Sequence, residues 1–156
     1  MTQYEKSAAT LELPAILAML ARHAVSDAAK ERALAVSPST DAATVKRLLA
    51  ETSAARGMMV KRGGPSFSGV KDVRASLSRA DMGGCLNIRE LMDIAGVLGA
   101  ARQARSYAAG DGRGNEKTCI DGLFNSLITN RFLEDKITGS IAGEDELADA
   151  ASPELA

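Results

Sequence analysis

A chain of 156 residues is long enough for one domain that buries roughly 70% of the surface its unfolded form would expose. Aromatic residues make up 3%, with no Trp, so the chain lacks the usual stacking platforms for single-stranded nucleic acid, and its abundant Ala and Leu favour helix over sheet. A formal net charge of −1 points to no particular class of partner, and two isolated cysteines, Cys85 and Cys119, exclude a disulfide framework or a cysteine zinc site.

The opening MTQYEKSAAT does not run from basic to apolar as a signal peptide does. No apolar run approaches the roughly 20 residues that span a bilayer, so a cytoplasmic, non-membrane protein is expected. LELPAILAMLARHA is the first convincing helix. Pro14 suits its first turn, where proline's missing N–H would find no partner in any case, and Ile16, Leu17, Leu20 and Ala24 form one apolar face. His23, the only histidine, stands at the C-terminal end, a place that favours a cationic imidazole; it is read as a structural or surface residue. Ser26 caps the next helix, DAAKERALAV, with Asp27 against the positive end of its dipole. Ser37-Pro38 ends that helix, because a residue before proline is pushed out of the α region.

Thr40 or Asp41 caps a long third helix that runs to Arg62, with Val45, Leu48, Leu49, Thr52, Ala55 and Met59 as its stripe. Gly57 weakens the pattern by about 1 kcal/mol without breaking it, and Gly63-Gly64-Pro65 stops it. Between the breaks at Gly63-Gly64 and Gly83-Gly84, Val70, Val73, Leu77 and Ala80 fall at helical spacing. This is the corner at which two long helices are turned and packed. The second long helix has the clearest start in the sequence: Asn87 as cap, Glu90 completing a capping box, and Leu86 with Leu91 as a hydrophobic staple. Leu91, Ile94, Ala95, Leu98 and Ala101 carry its stripe towards Ala109, and the small residues Ala95, Gly96, Gly99 and Ala100 would let another helix approach closely.

The glycine cluster from Gly110 to Asn115 invites a phosphate-loop reading. Such loops need a strand before the glycines and a Lys-Ser or Lys-Thr pair after them; here a helix precedes and no such pair follows, so a flexible interhelical turn is expected. KTCIDGLFNSLITN reads as a helix with Ile120, Leu123, Phe124, Leu127 and Ile128 on one side, and Phe132, Leu133 and Ile137 continue in a shorter segment. The end turns acidic. Ser152-Pro153-Glu154 resembles a helix start, so the chain is read as a fragment cut at the beginning of its next helix.

Charge is unevenly spread. From Arg56 to Arg79 there are six basic residues and one acid, Asp72, whereas seven acids and Lys136 lie from Glu134 onward. Arg56, Lys61, Arg62, Lys71, Arg74 and Arg79 are candidates for weak phosphate contacts, set against the simpler reading of solvated helix faces. No catalytic, cofactor-binding or metal-binding residue is identified: one histidine and two distant cysteines give acid–base or nucleophilic chemistry nothing to converge on.

LELPAILAMLARHAVSDAAKERALAVSPSTDAATVKRLL, then GGPSFSGVKDVRASLSRADMGGCLNIRELMDIAGVL, then IAGEDELADAASPEL together resemble the N-terminal region of the second bacterial MutS family, here MutS-two, distinct from the mismatch-repair MutS. The most specific parts are SPSTD at Ser37 to Asp41, the segment Val70 to Arg74, and Asp149 to Pro153; the stretch from Ser106 to Lys117 departs from the family pattern. The resemblance implies a core- and lever-like helical region of a homodimeric clamp ATPase, using ATP and Mg and usually ending in a small MutS-related (Smr) nuclease domain. It also implies roles in restraining homologous recombination on branched DNA and in rescuing stalled ribosomes. No GxxxxGK followed by Ser or Thr occurs in this chain, so none of the family's functional residues carries over to a position here.

The expectation is therefore an all-α, irregular multi-helix bundle, a single domain over 1–156, built on long helices near Asp41 to Arg62 and Ile88 to Ala109. Its expected function is that of a non-catalytic scaffold whose partners are the rest of its own chain and, through it, branched DNA or a ribosome. The alternative is a free-standing helical protein–protein interaction module.

Overall fold

The side chains of Ser26, Asp41, Asn87 and Asn130 each fix a helix start by accepting an open backbone N–H group of the first turn. The computed structural model describes residues 3–110, 117–143, 146–148 and 151. Among them lie eight α-helices, and the only extended pairing is one antiparallel bridge between Ile141 and Leu147. The fold is all-α, as composition and periodicity predict. Its contacts form two compact units, 1–40 and 41–156. The division falls just after the exposed stretch around Pro38, where the preceding helix has already ended.

The first unit holds α1 (Gln3–Thr10), α2 (Leu13–Arg22) and α3 (Asp27–Leu34). Glu12 turns the chain from α1 into α2 at φ 55°, in the left-handed region, at a cost of roughly 1–2 kcal/mol for a residue with a Cβ. Its carbonyl accepts the N–H groups of Ala15 and Ile16, so one residue closes one helix and opens the next. Pro14 lies in the first turn of α2 and His23 at its C-cap, both as expected. Ser26 caps α3 by accepting the Ala29 N–H at 3.2 Å. That helix stops at Leu34, two residues short of the DAAKERALAV reading. Ala21 is buried in α2, whereas Ile16 and Leu20 of the expected apolar face are exposed.

The second unit opens with α4 (Ala42–Arg62). Asp41, not Thr40, is its cap: the carboxylate accepts the Thr44 N–H at 2.8 Å. Hydrogen bonding from Thr44 holds the Asp41 carboxyl below its ordinary value. Gly63 ends α4 at φ 77°, a backbone conformation that a side chain would strain. Met58 is the buried residue of this helix, and Leu48, Leu49 and Met59 of the expected stripe are exposed. Then α5 (Arg74–Asp81) is shorter than the sequence spacing suggested. Gly69 at φ 84° leaves Val70 outside it, and Val73 serves as the residue before its first turn.

Next, α6 (Ile88–Ala109) starts with the expected capping box. Asn87 accepts the Glu90 N–H and Glu90 accepts the Asn87 N–H, both at 2.9 Å. Ile94 and Ala95 of α6 and Ile137 of α8 (Arg131–Ser140) form the centre of the core, with Val73, Leu86, Leu91, Leu98 and Ile141 packed against it. Both staple leucines thus reach the same cluster. The small residues of α6 do admit close neighbours, of two kinds. A Cβ on Gly99 would come within 3.1 Å of Glu134 Oε1 on α8, whereas one on Gly96 would meet the backbone oxygen of Gly69 at 2.8 Å. A loop, not a second helix, fills the notch at Gly96.

The segment read as one helix over KTCIDGLFNSLITN folds only as the short α7 (Asp121–Asn125). The Asp121 carboxylate accepts both the Thr118 N–H, at 3.1 Å, and its hydroxyl, at 2.5 Å, which bends the chain before the helix. Asn130 then caps α8 by accepting the Leu133 N–H at 3.0 Å, so the chain leaves the helical path between the two. The readings at Asp111 to Asn115 and at Ser152 to Glu154 fall outside the described residues.

Candidate functional site

The six basic residues singled out in the sequence do not share one surface stripe. On α4, successive positions turn by about 100°, so Arg56, Lys61 and Arg62 are directed at least that far apart around the axis. Arg74 and Arg79 belong to α5, and Lys71 to the loop before it. Arg62, Arg74 and Arg79 are each engaged by groups of the fold. Arg74 pairs with Asp72, with Nη2 2.5 Å and Nε 2.9 Å from its carboxylate oxygens; hydrogen bonds from Arg74 lower the Asp72 carboxyl to about 2. Arg79 pairs with Glu90, which also accepts the Ser76 hydroxyl at 3.2 Å. Glu90 thereby joins α5 to α6, and the Asn87 N–H, followed by Arg79, holds its carboxyl below the ordinary value.

Arg62 spans farther. Its Nη1 donates to the carbonyls of Tyr107 and Ala108, at 3.0 and 3.1 Å, placing a cation where the last turn of α6 leaves carbonyls open. In return, the Tyr107 hydroxyl donates to the Gly63 carbonyl at 2.7 Å. The ends of α4 and α6 are clasped by two residues that each hold the other's helix. Arg56 and Lys71 are exposed, and their side chains make no ion pair or hydrogen bond among the described residues; Lys61 is exposed at the end of α4.

A second surface went unmarked in the sequence. An apolar groove of about 510 Å³ opens between α4, α6, α7 and the Pro65–Phe67 loop, lined among others by Met58, Phe67, Tyr107, Ile120 and Phe124. The Tyr107 and Phe124 rings stand 6.4 Å apart and tilted, within the range at which aromatic pairs attract. The signal available beforehand was weak: Met58 next to Met59, and two of the chain's few aromatic residues at separate places in the sequence. Among the described residues no three His, Cys, Asp or Glu side chains come together as metal ligands would, and Cys85 and Cys119 are exposed free thiols. No helix among them is long and apolar enough to cross a membrane.

No family model matches the chain. Known proteins do. Endonuclease MutS2 of Ruminiclostridium cellulolyticum is 40% identical over 151 residues, which is 97% of this chain and 19% of that protein. The chain is MutS2-like along nearly its whole length. Endonuclease MutS2 of Acetivibrio thermocellus is 40% identical over 153 residues, again covering 97% of this chain and 19% of the relative. That of Agathobacter rectalis is 38% identical over 146 residues, 94% and 18% respectively. The chain thus spans about a fifth of the length of the curated MutS2 relatives it matches, and it corresponds to their N-terminal region. The resemblance read from the residues stands.

Proposed function

We propose that this segment is a non-catalytic helical scaffold of a MutS2-like clamp. It couples the state of an ATPase domain to a surface that grips branched DNA or a ribosome, and so serves restraint of homologous recombination and rescue of stalled ribosomes. The observation that carries this reading is the match of 97% of the chain to 19% of a protein named endonuclease MutS2. The physics of the two long helices supports it. At 21 and 22 residues and 1.5 Å per residue, α4 and α6 each reach about 30 Å. Moreover, α6 is held at its start by a capping box and at its end by Arg62. An element fixed at both ends can pass on a displacement without fraying. The nuclease and the ATP site of such a protein would lie in other domains, and its dimer would supply the clamp.

The apolar groove favours a second reading, a free-standing helical interaction module. The open reading frame separates the two. A P-loop several hundred residues beyond Ala156 supports the scaffold, and a stop codon directly after Ala156 supports the module. If the P-loop is found, the full-length protein should be compared with a form lacking residues 1–156. The scaffold reading expects the truncated form to lose the coupling between nucleotide state and four-way-junction binding while retaining basal ATP turnover. Unchanged coupling would overturn it.

A further inference from the structure

We draw no further inference here: the strongest candidate, the apolar groove between α4, α6 and α7 lined by Met58, Phe67, Tyr107, Ile120 and Phe124, carries none because nothing in the structure shows what covers it.

Discussion

The same substitution, Gly to Ala, is expected to act in opposite senses in the two long helices. In an unconstrained helix interior Ala is favoured over Gly by about 0.8–1.0 kcal/mol. Gly57 of α4 is such a position: a Cβ built there meets nothing within 4 Å, so Gly57→Ala should stabilise by about 1 kcal/mol. Gly96 of α6 carries the same intrinsic gain, but its Cβ would lie 2.8 Å from the Gly69 carbonyl oxygen and 3.6 Å from the carbonyl carbon. These are backbone atoms, and Gly69 itself is held at φ 84°, so the loop cannot yield as the tip of a side chain would. Overpacking of this kind costs roughly 1–3 kcal/mol. Because the propensity gain is common to both, it cancels in the difference, and Gly96→Ala should lie about 1–3 kcal/mol below Gly57→Ala. Both sites belong to the unit 41–156, so one urea titration followed by circular dichroism reads both, with midpoints compared at equal m. If the two variants agree to within about 0.5 kcal/mol, below any overpacking cost of this kind, the Gly69 loop does not press on α6.

Leu91→Ala should destabilise by about 2 kcal/mol, the lower end of the range for buried leucines, because Leu91 is only half-buried against the Ile94–Ile137 cluster; a loss below half that would place it outside the core. Glu134 is bonded by Arg102 at 2.8 and 3.0 Å, and this pairing lowers its carboxyl from the usual value of 4.5. A depressed carboxyl contributes stability above its unfolded-state pKa and loses it as pH falls through the folded one. Glu134→Gln should therefore be less stable than the parent at pH 7, with the gap closing below about pH 4.5; a gap independent of pH would show that the charge pair contributes nothing. The isolated chain should bind a labelled four-way junction no tighter than about 10 μM near physiological salt, and weaken steeply as salt is added. Arg56→Glu with Lys71→Glu should reduce what binding there is without touching a contact described in the fold; submicromolar, salt-resistant anisotropy would make the segment a DNA reader in its own right and defeat the scaffold reading.

The long helices were legible because their boundaries are local. Asp41, Asn87 and Glu90 act on N–H groups three residues away, and Gly63 marks a backbone turn that glycine tolerates. Where a boundary depends on competition between two local signals, periodicity misled. From 117 to 130 the apolar spacing is helical, yet the backward bonds of Asp121 and the cap at Asn130 divide the segment. On α4, Met58, Met59 and Val60 are all apolar, so the pattern could not say which of them faces inward; choosing Met59 over Met58 rotates the stripe by about 100°. The first helix, QYEKSAAT, has too few apolar residues to show a period. For the basic residues, the charges were visible and their occupancy was not. Asp72 is two residues from Arg74, but Glu90 is eleven from Arg79 and the Tyr107 carbonyl forty-five from Arg62, distances at which only the folded chain brings groups together.

The clasp of Arg62 and Tyr107 has a kinetic consequence. It joins positions 44 and 45 residues apart in sequence, and closing a loop of that length costs roughly 3 kcal/mol in chain entropy from its length dependence alone. Capping bonds, by contrast, close over three residues and form on the time scale of the helices themselves. The clasp is therefore expected to follow the formation of α4 and α6 and to do little to guide it. Bonds absent from the folding transition state act almost wholly on the rate of opening, so replacing Tyr107 with Phe should shorten the time the two long helices stay joined at their ends and leave the folding rate nearly unchanged in stopped-flow kinetics.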